Sequence, residues 1–278
     1  MFNRLLLICA RRLFRHWAKL APPAAKLAAR EQKFVRDVLM VAAGERRRGI
    51  LRDVVAATGG VVAAGPFAGM SIDTRTSWGD GALIPKLLGC YEAEVIDALV
   101  GLKERAFDIV INIGCAEGFY SVAAARFLGI PRSVAVDLDP EARAATLRNA
   151  EANGAAAQVE TRDHLDAAGL ADLVAETPNA LVISDCEGFE LDLFAPETIA
   201  ALGHAVCLIE CHDFAGRAVL ATLSERFGAS HDLQVITEGP RDPNRFPVLR
   251  KLDSLERWLA ISEHRPETMH WLLAVPKR

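Results

Sequence analysis

The chain has 278 residues, 51% of them hydrophobic, enough for one large domain or two small ones with a substantial core. Its net charge of −4 gives no case for general nucleic-acid binding. The charge is uneven, however: residues 1–52 hold 13 Lys and Arg against 3 Asp and Glu, and residues 53–278 hold 19 against 33. This describes a basic arm appended to an acidic domain.

The six cysteines, Cys9, Cys90, Cys115, Cys186, Cys207 and Cys211, form no C-x-x-C pair and are expected as buried thiols in a reducing compartment. No run reaches transmembrane length. The apolar start, Leu5 to Ala10, is short and soon followed by Arg11-Arg12, which argues against a signal peptide. A cytoplasmic protein is expected.

In chain order, Phe2, Leu6, Cys9, Leu13, Trp17 and Leu20 recur at helical steps, with Arg4, Arg11, Arg12, Arg15 and Lys19 on another side. Residues 1–20 therefore form either a membrane-surface helix or, as favoured here, a helix packed on its own domain or on a second subunit. Residues 24–57 read as more helix, with Glu45-Arg46-Arg47-Arg48 as a solvated face. Two short strands around a turn are expected in 61–72, a polar loop in 73–83 and a helix in 93–102. The organisation is thus a basic helical extension over 1–58, a lead-in over 59–106 and a main domain over 107–278.

From residue 107 the rhythm is regular. Strands at 107–113, 132–137, 156–160, 180–185 and 205–211 alternate with helices at 117–129, 140–153, 163–175, 189–202 and 215–227. Strands alternating with helices of this length specify a parallel sheet covered on both faces. A strand at 231–237, a Pro-rich loop at 239–247, a helix at 253–261 and a last strand at 269–275 follow.

In an open parallel sheet, ligands sit beyond the carboxyl ends of the strands. The first strand runs into Gly114-Cys115-Ala116-Glu117-Gly118, a turn that lets backbone approach a ligand and opens a helix whose free N–H groups point at it. The second ends in Asp137-Leu138-Asp139-Pro140. Asp137 is placed to accept ribose hydroxyls, whereas Asp139 fits the cap of the helix opened by Pro140. Asp163 follows the third strand and suits an adenine amino group or a helix cap equally. The fourth ends Asp185-Cys186-Glu187-Gly188-Phe189-Glu190 and the fifth Glu210-Cys211-His212-Asp213. Folding alone gives little reason to place so many ionisable groups at buried strand ends, where desolvation is costly.

Together these motifs resemble class I S-adenosylmethionine-dependent methyltransferases, and within them the FkbM-like group. Ile111 to Gly118 resembles the first cofactor motif, Leu181 to Glu190 the hallmark strand ending D-x-E-G-x-E, and Leu208 to His212 the next strand, ending E-x-H. The resemblance spans roughly 85–275. Segments 87–92 and 263–271 are similar to flanking segments of one branch of that group. The resemblance implies a Rossmann-like α/β fold: a seven-stranded, mostly parallel sheet with an antiparallel last strand, here carrying an N-terminal helical extension. It implies S-adenosyl-L-methionine held by Asn112, Gly114, Ala116, Glu117, Gly118, Asp137, Asp163 and Asp185. Asn112 stands where the family usually has Asp, and Ala116 replaces the middle glycine of the turn.

The activity so implied is methylation of a small-molecule or glycan-like hydroxyl acceptor. His212 is the first candidate base, because its ordinary pKa lies near neutrality, with Asp185 and Glu187 next. Tyr91, Glu92, Glu210, Arg241 and Arg265 are expected on the acceptor side, the arginines for an anionic acceptor. A divalent metal on Asp185, Glu210 and His212 lacks a further ligand at a telling spacing, so no metal is expected. Two other readings stay open: a nicotinamide-dependent oxidoreductase, which accounts for the turn and Asp137 but not for the fourth and fifth strand ends, and a non-catalytic scaffold.

Overall fold

The computed structural model describes residues 29–75, 82–213 and 216–277. The expected helix at residues 1–20 lies outside them. The chain divides into two compact units, Met1–Arg48 and Gly49–Arg278. In the first, helix α1 begins; its bounds are Ala29–Thr58. Phe34, Val38, Leu39, Met40 and Val41 are exposed there. Arg48 pairs with Glu45 on the surface, but Arg47 is buried, so the charge run is not wholly a solvated face.

The second unit holds α2 (Leu83–Leu88) and α3 (Ala93–Gly101), then β1 (Ile109–Ile113), α4 (Phe119–Phe127), β2 (Arg132–Val136), α5 (Pro140–Ala152), β3 (Val159–Arg162), α6 (Ala167–Ala175) and β4 (Ala180–Ser184). It continues with α7 (Glu190–Leu193), α8 (Pro196–Ala201), β5 (Val206–Cys211), α9 (Val219–Phe227), β6 (His231–Thr237), α10 (Ser254–Ile261) and β7 (His270–Pro276). The strands form one seven-stranded sheet in the order β3-β2-β1-β4-β5-β7-β6. β1 to β5 pair in parallel, and β7 inserts antiparallel between β5 and β6. The sheet is the Rossmann-like one expected.

The central strands are apolar throughout because both faces are covered. Val110, Leu181, Ile183, Val206 and Leu208 pack on one side with Ile50, Val54, Phe67 and Leu87. Ile109, Ile111, Val182, Cys207 and Ile209 pack on the other with Leu170, Leu193, Phe194 and Phe227. The end of α1 and the lead-in thus share the core of the sheet. Cys90, Cys115, Cys207 and Cys211 are buried free thiols and Cys186 is half-buried; burial pushes Cys90, Cys115, Cys186 and Cys211 up to about 12.

Several boundaries differ from expectation. β3 starts at Val159, not 156, because the chain first turns through Gly154 in the left-handed region. α6 is capped by Asp166, which accepts from Gly169 N, and not by Asp163. The helix expected at 189–202 is two helices, since Pro196 has no N–H to continue the first. α9 begins at Val219, whose N–H donates to Asp213. Residues 61–72 form a single antiparallel bridge, Val61 to Ser71, in place of two strands.

Side chains of α5 clip the lead-in to the sheet domain. Asn153 Oδ1 accepts from Ser71 N and its Nδ2 donates to Ser71 O, while Asn149 Oδ1 accepts from Asp73 N. Asp73 receives Arg148 Nε at 2.6 Å and Arg75 Nε at 2.9 Å. The hydrogen bond from Arg75 leads in holding its carboxyl far below the ordinary 3.8, against the effect of burial. A carboxyl depressed on folding stabilises above its unfolded pKa and loses that contribution as the pH falls through its folded value. Asp73→Asn is therefore expected to lower stability by about 1–3 kcal/mol at pH 7. Urea unfolding should show the gap narrowing below pH 3.8; a gap independent of pH would mean that the charge is not its source.

Candidate active site

The strand register brings the site together. Ile113 pairs with Ser184 and Ser184 with Ile209, so Gly114, Asp185 and Glu210 follow one another at adjacent carboxyl ends. Gly114 has φ 75°, and a Cβ there would lie 1.7 Å from the carbonyl oxygen of Asp185. No side chain fits, because the β1 and β4 backbones already occupy that space. Gly118, φ 78°, is pressed against Thr146, with 2.6 Å from its added Cβ to Cγ2. Both glycines are thus required by the fold's own packing. Ala116 holds a left-handed φ of 47° between them, a conformation that costs a residue with a Cβ more than glycine.

On the β1–β2–β3 side of the rim, Asp137 is half-buried. Its Oδ2 accepts from Ala116 N at 2.8 Å and its Oδ1 from Asp139 N at 2.9 Å, so it buttresses the turn as well as facing the rim. Asp139 caps α5 through Glu141 N, as expected. Asp163 is exposed at the end of β3. Leu138, beside Asp137, is 78% exposed, an apolar surface that sequence reasoning did not single out. Two residues named for the cofactor turn inward instead. Asn112 is buried and donates to Ser121 Oγ at 3.0 Å. Glu117 is buried in an ion pair with Lys86 at 2.6 Å, and Lys86 also lies over the Tyr91 ring.

On the β4–β5 side a cavity of about 220 Å³ opens, lined by Tyr91, Glu92, Asp185, Glu187, Glu210 and His212 among others. His212 follows β5 and is only 3% exposed. Its Nδ1–H donates to Glu190, which is fully buried at the start of α7. Its Nε2 lies 3.5 Å from Asp185 Oδ1, 3.5 Å from Glu187 Oε2 and 3.9 Å from Glu210 Oε2. Burial pulls this imidazole down, but the Glu190 hydrogen bond and the surrounding carboxylates outweigh it and hold the pKa above its ordinary value. Burial, and then the charge of Glu92, push Asp185 up to about 7. Burial and the charges of Asp185 and Glu92 raise Glu210 well above the ordinary carboxylate range.

The arginines expected to meet an anionic acceptor are engaged by protein carboxylates. Arg241 makes a two-pronged pair with Glu94 at 2.6 and 2.8 Å, meets Glu263 at 3.2 Å and donates to Cys90 O. It does not line the 220 Å³ cavity. Arg265 does, but it is shared by Glu92, Glu210, Glu263 and Glu238. Tyr120 also donates to Glu92. Carboxylates outnumber cations around this cavity, which disfavours an anion. Glu263, Lys86 and Glu190 had no role in the sequence reading. Glu190 was visible as the last acid of D-x-E-G-x-E; Glu263 and Lys86 carry no local signal that tells a buried ion pair from a surface charge.

A family model described as ribosomal protein L11 methyltransferase (PrmA) matches residues 93–184. The L11 methyltransferase of Xanthomonas axonopodis pv. citri is 42% identical over 64 residues, covering 23% of this chain and 21% of that protein. The one from Aeromonas salmonicida is 43% identical over 51 residues, 18% of this chain and 17% of that protein. The chain thus spans about a fifth of the length of the curated relatives it matches. Among solved structures, human methyltransferase 10 domain containing protein aligns over 84% of this chain and 97% of its own, with a TM-score of 0.48 at 15% identity. The sheet order, the antiparallel β7 and the matched segment define the fold as that of class I S-adenosylmethionine-dependent methyltransferases.

Arg265 carries the site's charge balance. Arg265→Met leaves Glu92, Glu210 and Glu263 buried without their cation, a loss of about 3–5 kcal/mol at pH 8. Because burial already raises the pKa of Glu210 and of Glu263 above the ordinary carboxylate value, acidification neutralises them early and the penalty shrinks by pH 5. Thermal melting of the two proteins at both pH values checks this; a penalty as large at pH 5 would show that packing, not charge, dominates.

Proposed function

We propose that the protein is an S-adenosyl-L-methionine-dependent methyltransferase acting on a hydroxyl acceptor held in the β4–β5 cavity. The observation that carries the reading is the division of one strand-end rim into two chemically distinct halves. The β1–β2–β3 half offers Asp137 and Asp163 beside exposed Leu138, a set suited to ribose, the adenine amino group and the apolar face of the base. The β4–β5 half offers a pocket rich in carboxylates, suited to a cationic sulfonium and ammonium. S-adenosylmethionine supplies an electrophilic methyl group. The protein's part is alignment and disposal of the acceptor's proton.

His212, Asp185 and Glu187 form the cluster nearest the acceptor, and His212, oriented through Nδ1 by Glu190, heads it. Asn112 and Glu117 support the glycine turn from behind: Asn112 ties β1 to α4, and Glu117 ties the turn to α2. The acid-rich lining favours a neutral acceptor, such as a small-molecule or glycan hydroxyl, over an anion. The name of the L11 methyltransferases gives those relatives a protein acceptor, and a protein side chain entering the same cavity is the competing reading. D-x-E-G-x-E followed by E-x-H supports the FkbM-like branch, and these motifs extend beyond the segment that matches the L11 methyltransferase model. A cytoplasmic setting accords with the free thiols; no described helix is long and apolar enough to cross a membrane.

Titration calorimetry with S-adenosylhomocysteine and NAD separates the enzyme classes. S-adenosylhomocysteine should bind and NAD should not; failure of the first to bind ends the methyltransferase reading. Asp137→Ala should weaken S-adenosylhomocysteine by about 1.5–3 kcal/mol, the scale of hydrogen bonds to a charged group. Unchanged affinity would remove Asp137 from the cofactor.

A further inference from the structure

Asp185 Oδ1, Glu187 Oε2 and His212 Nε2 belong to three side chains whose ligating atoms lie within 4.8 Å of one another. We propose that these three residues bind a divalent transition-metal cation at the mouth of the β4–β5 cavity, with Glu190 as the positioning residue behind His212. The donor set is one imidazole nitrogen and two carboxylate oxygens, whose two negative charges match a divalent ion. It differs from the trio suggested by strand ends alone: Glu210 is taken by Arg265, and Glu187 stands in its place.

Four observations converge on this site. His212 is held in the orientation of a metal ligand, its Nδ1–H donated to a fully buried carboxylate and its Nε2 directed at the two acids. Glu190 is itself fixed, since its Oε1 also accepts from Gly188 N at 3.0 Å. Asp185 Oδ1 is inaccessible to solvent and has no hydrogen-bond partner among the described residues, although it points at His212. Burying a carboxylate oxygen in this way is costly unless something pairs with it. Finally, Glu187 adopts a left-handed φ of 52° between Cys186 and Gly188, and this brings an otherwise exposed side chain back towards His212. That side chain is 77% exposed and free to draw in, so the three atoms can contract to about the 2.0–2.2 Å bond lengths of such a site.

Three protein ligands leave coordination positions open, and the cavity of about 220 Å³ lies in front of them. An acceptor oxygen entering there would meet the cation. With an ion bound, His212 would serve as a ligand and not as the base; the cation would lower the pKa of an acceptor hydroxyl, whose proton would pass to water in the open cavity. The site is argued from its ligands alone and does not depend on methyl transfer.

The test uses the full chain stripped with EDTA and titrated with Mn²⁺, free Mn²⁺ being followed by electron paramagnetic resonance with no cofactor present. One Mn²⁺ per chain is expected, with a micromolar dissociation constant. Asp185→Asn and Glu187→Gln should abolish that site, and Glu190→Gln should weaken it by about 10–100-fold. Glu187 is exposed, so Glu187→Gln tests the site even if the Asp185 variant fails to fold. No binding below 1 mM Mn²⁺, or equal binding by wild type and Glu187→Gln, overturns the proposal. S-adenosylhomocysteine binding is measured separately on the unsubstituted chain, so failure of the metal site and failure of the methyltransferase reading are told apart.

Discussion

The Arg265 guanidinium is the interaction on which the β4–β5 half of the rim depends. It gathers Glu92 from the start of α3, Glu210 from β5, Glu238 just after β6 and Glu263 from the loop before β7. Arg265 thus reaches a partner 173 positions away along the chain. Such a cluster is costly to desolvate, and its geometry has to be good for the pairs to repay that cost. Burial works against the charge of Arg265, but Glu92 and Glu210 hold its pKa far above the ordinary value. The surrounding acids outnumber it, and burial, then the charges of neighbouring acids, raise two of them, Glu210 and Glu263, towards neutrality.

That imbalance explains the character of the cavity. Arg265 and Arg241 act as internal counter-ions, not as hands extended to an anionic ligand. The negative charge left over lies around Asp185, Glu187 and His212, where the Glu187 side chain is exposed at the cavity. The anchoring of His212 by Glu190 gives the cluster a fixed direction. On the other half of the rim the acids are few and partly spent on the turn. Asp137 holds Ala116 and Asp139 in place, so the geometry of the turn depends on the one carboxylate proposed to meet the ribose.

The glycine turn has a double purpose. Gly114 and Gly118 read as places where backbone approaches a ligand, yet each is needed first for an internal contact, with Asp185 O and with Thr146. The same close approach of β1 to β4 puts Asp185 beside the turn. Packing therefore fixes the distance between the two halves of the site.

The amino-acid sequence by itself determined the alternation of strands and helices, the strand-end acids and the late antiparallel strand. These follow from periodicity and from residues whose conformational preferences act locally, such as Asp139 and Pro140 at a helix start. Boundaries slipped where a local feature had two outlets: Asp163 and Asp166 compete to cap one helix, and Pro196 divides another. Only the tertiary structure decided which ionisable groups line the cavity and which pair in the interior. Asn112, Glu117 and Arg241 look equally functional in sequence, but packing places each against Ser121, Lys86 and Glu94. Glu187 and Glu190 differ by three positions, yet one is exposed at the cavity and the other buried behind His212. A charge's role depends on its long-range partners and its distance from water, and neither is written in its neighbours along the chain.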